Sequence, residues 1–225
     1  MLKVSTLVTF VLMFIITGCG NNDKKQETSD SGNSKQDSTS VTAVKTILFF
    51  GNSLTAGYGL DVSEAFPALI QARIDSMKLP YKVVNAGLSG ETSAGGKNRI
   101  GWLLRQKVDV FVLELGANDG LRGIEVKETI NNLQDIIDSV KTKYPDAKLI
   151  MTGMQVPPNM GSTYSNEFRG IFEKLATKNN MALVPFVLEG VGGIPELNQG
   201  DGIHPTAEGH HIVAENIWAV LKGML

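Results

Sequence analysis

The chain has 225 residues and a formal charge of −2, with 21 Lys and Arg against 23 Asp and Glu. No basic patch or run of Lys and Arg stands out in the sequence, so a nucleic acid partner is not expected. No internal repeat of fixed period is found either, which argues against a solenoid or propeller.

Residues 1–18 have the features of a secretory signal peptide. Lys3 supplies a positive charge, and residues 7–16 form an apolar run. This run is too short to span a bilayer, which takes about 20 apolar residues. It ends in Ile-Thr-Gly-Cys at 16–19, which resembles the bacterial lipobox, whose cysteine is lipidated and becomes the new N-terminus. We therefore expect export and attachment to the cell envelope through a lipid on Cys19.

Cys19 is the only cysteine of the chain, so an internal disulfide is excluded. Lipidation explains why an exported protein carries one cysteine. The alternative is a plain signal peptide with an incidental cysteine near the cleavage site. Residues 20–45 are mostly small and polar, a composition that cannot bury enough surface to fold. The segment 19–45 is therefore predicted to be the lipidated cysteine followed by a disordered tether.

Residues 46–225 have the length of one domain with one core. Short apolar runs alternate there with amphipathic segments, and the runs are typical of strands buried on both faces of a parallel sheet. The runs are 46–50, 82–85, 109–115, 147–152 and 182–186. The predicted helices are 63–77, 93–106, 125–144, 163–179 and 206–221. Ser63 is expected to cap the first helix, and Pro145 to end the third.

This alternation predicts an α/β fold, a three-layer sandwich in which helices cover both faces of a five-stranded parallel sheet. We expect a flavodoxin-like strand order, 2-1-3-4-5, with right-handed crossovers. In such sheets ligands bind at the carboxyl ends of the strands, where the strand order reverses. The loops that follow the strands are therefore the place to look for functional residues.

Ser53 directly follows the first predicted strand, in a glycine-rich segment at 51–59. Taken alone, it is best explained as a helix-capping serine in a tight turn. A Walker loop is excluded because no Gly-Lys-Ser/Thr follows, and the dinucleotide fingerprint lacks its third glycine. The nucleophile elbow of α/β-hydrolases is also excluded, because it needs glycine where Thr55 stands.

Asp201 precedes His204 by three residues, in a turn that leads into the last predicted helix. This spacing lets the carboxylate accept the Nδ1 proton of the histidine, which leaves Nε2 free to act as a base. A serine needs such a base to become a nucleophile. The alternative is an exposed histidine in front of a helix that begins near Pro205.

Two further loops can supply donors to a developing oxyanion. Asn118 follows the third strand and offers its side-chain amide, and Gly90 follows the second strand, where a glycine lets a backbone N–H approach closely. Both residues are also explained by ordinary turn chemistry. Asp119 is expected to cap a helix, and Glu114 to be a buried structural carboxylate.

Together these segments resemble the SGNH, or GDSL, hydrolase superfamily, named for a serine, a glycine, an asparagine and a histidine in four separate blocks. Ser53, Gly90, Asn118 and His204 match those blocks in order, with Asp201 as the triad acid. The resemblance extends to the bacterial thioesterase I/lysophospholipase/arylesterase branch through segments 51–59, 84–93, 114–123 and 201–205. One departure is position 52, an asparagine here, where the family usually has aspartate.

The resemblance implies that 46–225 is an SGNH hydrolase domain and the protein a serine esterase. Ser53, Asp201 and His204 would form its catalytic triad. The backbone N–H groups of Ser53 and Gly90, with the side chain of Asn118, would form the oxyanion hole. By the same resemblance, segment 154–164 is expected to border an acyl pocket.

The implied substrates are small acyl esters, thioesters or lysophospholipids, and the membrane is reached through the lipid anchor. We expect a monomer without a cofactor or a metal, since three histidines and one lipidated cysteine offer no adequate ligand set. Two alternatives stay open. One is a carbohydrate O-acetyl esterase, and the other is a non-catalytic binding lipoprotein on the same fold.

Overall fold

The computed structural model describes residues 43–225. The predicted signal peptide and Cys19 lie outside the described residues, as does most of the predicted tether. Five parallel strands form one sheet in the order β2-β1-β3-β4-β5. They are β1 (Lys45–Gly51), β2 (Tyr81–Gly87), β3 (Val110–Glu114), β4 (Lys148–Thr152) and β5 (Ala182–Val184). The predicted fold class and strand order are confirmed.

Seven α-helices accompany the sheet in the part of the chain that the structure describes. They are α1 (Ser53–Ala56), α2 (Phe66–Ser76), α3 (Ser93–Leu103), α4 (Ala117–Leu121), α5 (Val126–Lys143), α6 (Ser162–Asn179) and α7 (Ala207–Leu221). Helix α2 packs against α7, and α3, α5 and α6 pack in series. Right-handed crossovers, the rule for parallel strands, place these two groups on opposite faces of the sheet. Among residues 43–225, no helix is both long and apolar enough to cross a bilayer.

The core is centred on β1 and β3, the two strands that carry candidate site residues at their ends. Phe50 and Phe111 pack together with ring centroids 5.9 Å apart, and Phe49 contacts Phe66 edge to face at 5.5 Å. All four side chains are fully buried. Burial of one such side chain contributes about 1.5–3 kcal/mol to the free energy of unfolding. The loops at the carboxyl edge therefore start from a rigid base.

The first predicted helix, 63–77, is interrupted in the structure, and Ser63 does not cap it. A short 3-10 helix, Val62–Glu64, is capped instead by Asp61, whose side chain accepts the Ser63 N–H. Ala65 is extended, and α2 then begins without a side-chain cap of its own. The Phe66 N–H instead donates to Nδ1 of His210, 3.1 Å away in α7. That partner is 144 residues distant, so the local sequence gives no sign of it.

The expectation that every strand is buried on both faces is wrong for β2. Lys82 and Asn85 are exposed there, whereas all five residues of β3 are buried. The reason is position, because β2 is an edge strand with one neighbour. At the other edge, β5 stops at Val184, before Pro185, which has no N–H for a sheet ladder.

Candidate active site

Ser53 is the first residue of α1, two positions after the last residue of β1. The turn is held by Asn52, whose side-chain oxygen accepts the Leu54 N–H at 2.9 Å. It closes at Gly57, which has φ +76°, a left-handed conformation that favours glycine. The Ser53 hydroxyl is consequently fixed at the carboxyl edge of the sheet, and the residue is 8% exposed.

His204 reaches Ser53 from the loop in front of α7. Its Nε2 lies 2.9 Å from Ser53 Oγ, and its Nδ1 lies 2.6 Å from Asp201 Oδ2. The other carboxylate oxygen of Asp201 accepts the backbone N–H groups of Ile203 and His204 at 3.0 and 3.1 Å. With Nδ1–H donating to the carboxylate, Nε2 is the acceptor for the serine proton. The structure thus brings together the three residues of the predicted triad.

Asp201 has the charge that this arrangement requires. Its hydrogen bond from His204, aided by the backbone N–H of Ile203, lowers the pKa of the carboxyl from 3.8 to about 2. The side chain is therefore ionised at neutral pH, as the predicted triad requires of its acid.

Two residues that sequence reasoning missed hold His204 in place. The ring of Tyr58 packs on the imidazole, with centroids 4.6 Å apart. Gln199 donates through Nε2 to the backbone oxygens of Tyr58 and Pro205, at 2.7 and 2.9 Å. The loop that carries His204 is therefore tied to the loop that follows Ser53. Neither contact has a signature in the local sequence.

The residues of the candidate oxyanion donors, Ser53, Gly90 and Asn118, line one cavity. Asn118 uses one N–H of its amide to bind the Glu91 carbonyl at 3.0 Å, which leaves the other N–H free to donate. Arg122, one helical turn later, donates to the Gly90 carbonyl at 3.1 Å. Gly90 itself has φ +80°. Within residues 43–225, the backbone N–H groups of Ser53 and Gly90 donate to no protein acceptor.

Asp119 supports this side of the site from within α4. The side chain is fully buried and accepts both the backbone N–H and the hydroxyl of Ser93, at the start of α3. It therefore satisfies an N–H of a helix, as expected, but of α3 and not of the helix in which it lies. As also expected, Glu114 is buried. Of the two other histidines, His210 is buried and His211 exposed.

A cavity of about 520 Å³ opens beside Ser53 and His204. This volume lies within the range usual for sites that bind small molecules. Its apolar wall includes Leu121, Met154, Val156, Phe186, Leu188 and Ile203. The predicted border segment 154–164 contributes its first part, 154–157, to the lining. Among the described residues, no three side chains of His, Cys, Asp or Glu gather as a metal site would require.

Residues 49–212 match the model of the GDSL-like lipase/acylhydrolase family. The matched range begins within β1 and ends within α7. The chain belongs to this family. The matched range contains all five candidate site residues, Ser53, Gly90, Asn118, Asp201 and His204.

Two curated relatives of the chain have names that describe enzymes. It is 42% identical to esterase TesA of Pseudomonas aeruginosa over 188 residues, which cover 83% of this chain and 92% of that protein. It is 38% identical to thioesterase 1/protease 1/lysophospholipase L1 of Escherichia coli K12 over 174 residues, 77% of this chain and 81% of that one.

A crystal structure of TesA superposes with a TM-score of 0.77 at 41% sequence identity, and covers 80% of this chain and all of that chain. The protein is accordingly an SGNH hydrolase in fold as well as in sequence. It is an enzyme of the serine esterase and thioesterase group within that family.

Proposed function

We propose that the protein hydrolyses acyl esters and thioesters through an acyl intermediate on Ser53, in the cell envelope. The observation that carries this proposal is the unbroken chain of hydrogen bonds from Asp201 through His204 to Ser53, beside a cavity with an apolar wall. A non-catalytic binding protein has no need for such a relay.

The first half of the reaction transfers the acyl group to the enzyme. As Ser53 Oγ attacks the substrate carbonyl, its proton passes to Nε2 of His204 over the 2.9 Å contact. The resulting imidazolium is stabilised by Asp201. His204 then gives the proton to the departing alcohol or thiol, which leaves an ester bond between the acyl group and Ser53.

The negative charge that forms on the carbonyl oxygen needs donors in fixed positions. The backbone N–H groups of Ser53 and Gly90 and the second amide N–H of Asn118 are the proposed donors. In the second half of the reaction, His204 takes a proton from water as the water attacks the acyl-enzyme. The same donors stabilise the second oxyanion, and the acid is released when the proton returns to Ser53.

The shape and lining of the cavity favour an acyl chain over an acetyl group. An acetyl ester of a sugar would place a single methyl group in a cavity of about 520 Å³ with an apolar wall. A longer chain would remove that wall from water, at about 25 cal/mol for each Å² buried. A profile of kcat/KM over p-nitrophenyl esters of rising chain length separates these readings, and a maximum at acetyl would favour the carbohydrate esterase.

We also propose attachment to the cell envelope through Cys19. About 26 residues separate Cys19 from the start of β1, and such a segment spans at most about 90 Å. Lys45 begins β1 at the amino edge of the sheet, whereas Ser53 follows its carboxyl end, so β1 separates the entry point from the active site by about 23 Å. The connecting segment is long enough for the cavity to face the membrane surface, where lysophospholipids would be met.

Substitution of Ser53 by alanine tests the nucleophile. The Ser53→Ala variant is expected to lose hydrolysis of a chromogenic ester and covalent labelling by a fluorophosphonate. The matched control is Ser63→Ala, an exposed serine on the neighbouring 3-10 helix, which should retain both. Labelling that persists in the Ser53→Ala variant would exclude the proposed nucleophile.

A further inference from the structure

A buried carboxylate lies directly beneath the nucleophile turn. Glu114 is the last residue of β3 and is 1% exposed. It pairs with Gly51 across the β1–β3 ladder, so its side chain meets the chain where β1 ends. No positively charged side chain among residues 43–225 forms an ion pair with it.

All hydrogen bonds to this carboxylate come from Asn52, the residue before α1, and Thr55, the third residue of α1. Oε2 accepts from the backbone N–H of Asn52 at 3.2 Å, from that of Thr55 at 3.3 Å and from the Thr55 hydroxyl at 2.8 Å. Oε1 accepts from Nδ2 of Asn52 at 2.7 Å. Four donors therefore converge on Glu114, and Ser53 lies between the residues that supply them.

The cluster is packed without spare room. Asn52 and Thr55 are as deeply buried as Glu114 itself. A Cβ atom at Gly51 would overlap the Thr55 hydroxyl and the Glu114 carboxylate, so only glycine fits there. A small change in the position of Glu114 is thus transmitted to the turn and is not absorbed by a void.

Asn52 joins this carboxylate to the nucleophile turn through both ends of its amide. Its Nδ2 donates to Glu114, and its Oδ1 accepts the Leu54 N–H at 2.9 Å. The same Oδ1 lies 3.4 Å from Ser53 Oγ. Only an amide can donate at one end and accept at the other without a shared proton. The family's usual aspartate would instead place two carboxylate oxygens against each other here.

We propose that Glu114 is a positioning residue for Ser53 and acts through Asn52. Because position 52 is an asparagine, the hydrogen bond between these two side chains does not require them to share a proton. The inference rests on the proposed function, because it concerns the orientation of the same nucleophile. Glu114 touches neither the substrate nor the reacting atoms. Its effect is to hold the turn at the geometry in which Ser53 Oγ meets His204.

Burial and hydrogen bonding act on the charge state of this carboxylate in opposite directions. Burial raises the pKa of Glu114 from 4.5 to about 7, against the hydrogen bonds from Thr55 and Asn52, which lower it. Above that pH all four donors meet an ionised acceptor. The other titratable side chains around the turn are His204 and Asp201 on the loop before α7 and Asp119 on α4. None of these hydrogen-bonds or ion-pairs with Glu114.

An exchange of the two polar groups tests the proposal. In Glu114→Gln, either orientation of the new amide sets its NH2 group against at least one of the four donors. In Asn52→Asp, two carboxylates face each other and must share a proton. In the Asn52→Asp/Glu114→Gln double variant, the introduced glutamine donates to the introduced aspartate, which still accepts the Leu54 N–H. The double variant also keeps the net charge of the original pair.

The expected results differ among the three variants. We expect kcat of Glu114→Gln to fall by about 10- to 100-fold with KM nearly unchanged, because displacement of a reacting group by 1 Å can cost ~10²-fold. The double variant should recover to within about threefold. Asn52→Asp should be active near neutral pH but lose kcat in an additional alkaline step, as the shared proton leaves. That step should be absent from the original protein and from the double variant.

A matched control lies at the other end of the same strand pair. Asp109 precedes β3 and accepts the Thr46 N–H at 2.9 Å, so Asp109→Asn makes the same chemical change at the opposite edge of the sheet. Its kcat should stay within about twofold. Thermal melting of every variant shows whether it is folded, and if Glu114→Gln fails to fold, Asn52→Asp and the double variant carry the comparison through their pH profiles.

The outcomes separate this inference from the proposed function. Recovery of kcat in the double variant, with the alkaline step confined to Asn52→Asp, supports the proposal. Full kcat in folded Glu114→Gln, or a double variant no better than that single one, overturns it while the original protein still hydrolyses esters and reacts with a fluorophosphonate. Failure of the original protein in both assays would instead overturn the proposed function.

Discussion

His210 should make the stability of the protein depend on pH in a way that can be isolated. The residue is 1% exposed, accepts the Phe66 N–H through Nδ1 and stacks on the Phe66 ring. Burial, with smaller contributions from His204 and His211, lowers the pKa of His210 from 6.5 to about 4. The folded state therefore keeps this imidazole neutral at pH values where the unfolded chain protonates it.

The sign and size of the effect follow from proton linkage. Between pH 6.5 and 4 the unfolded state binds more protons at His210, so the free energy of unfolding falls as the pH is lowered. From pH 7.5 to 5.0 the loss is about 2 kcal/mol. Glu114 acts in the opposite direction, because a pKa raised from 4.5 to about 7 makes the folded state bind more protons in nearly the same window. Its gain over the same interval is also about 2 kcal/mol.

The two contributions should nearly cancel in the original protein and separate in a variant. His210→Gln removes the titrating group but keeps a side chain that can accept the Phe66 N–H. Urea unfolding at pH 7.5 and 5.0, followed by tryptophan fluorescence, should show a change within about 1 kcal/mol for the original protein. The free energy of unfolding of the variant should rise by about 2 kcal/mol on acidification.

The adjacent residue provides the control. His211 is exposed, so His211→Gln should follow the original protein at both pH values. The quantity compared is the change with pH, which is independent of any uniform loss of stability in His210→Gln. A variant whose unfolding free energy changed with pH in parallel with the original protein would refute the reasoning.

Four further substitutions test the site and the anchor. Asn118→Ala should lower kcat by ~10²–10³ through loss of one oxyanion donor, and unchanged turnover would remove it from the oxyanion hole. Tyr58→Ala should lower both kcat and the rate of fluorophosphonate labelling by ~10-fold, since it frees the His204 ring, and equal rates would show that this packing is dispensable. Met154→Ala should shift the preferred ester to a longer acyl chain, whereas the exposed Met77→Ala should not, and identical profiles would contradict the acyl pocket. Cys19→Ser should move esterase activity from the membrane pellet to the soluble fraction of cells, and activity retained in the pellet would count against the anchor.

The sheet could be predicted because its strands are short apolar runs separated by helical patterns, and such runs are specified locally. The boundaries of all five strands differ from those expected by one or two residues, and the central β1 and β3 are buried as expected. The short helices α1 and α4 could not be predicted, since four or five residues carry no periodicity. The break near Ser63 had a local signal in Pro67, which lies in the first turn of α2 as is usual at the start of a helix. The acceptor for the Phe66 N–H, a histidine in α7, had none.

The sequence predicted only those site residues whose side-chain chemistry is typical of one of the four family blocks. Ser53, Asp201 and His204 come together as their spacing and strand positions predict, and their catalytic roles stay predictions. Gln199 acts by donating hydrogen bonds to backbone oxygens. Many polar residues can do this, so the sequence carries no pattern that identifies Gln199 as part of the site. Arg122 had a usable signal, since it lies four residues after Asn118 and therefore on the same face of a helix.

The contact between Asn52 and Glu114 also has a consequence for how this sequence can drift over evolutionary time. Replacement of Glu114 alone by glutamine places two hydrogen-bond donors against each other, and a change of protonation cannot relieve this conflict. Replacement of Asn52 alone by aspartate places two hydrogen-bond acceptors against each other, and one shared proton would let that variant keep the contact. Two successive substitutions that exchange the amide and the carboxylate between positions 52 and 114 should therefore first place carboxylates at both positions. Among homologues, an amide at position 114 is then expected only where position 52 already holds an acid.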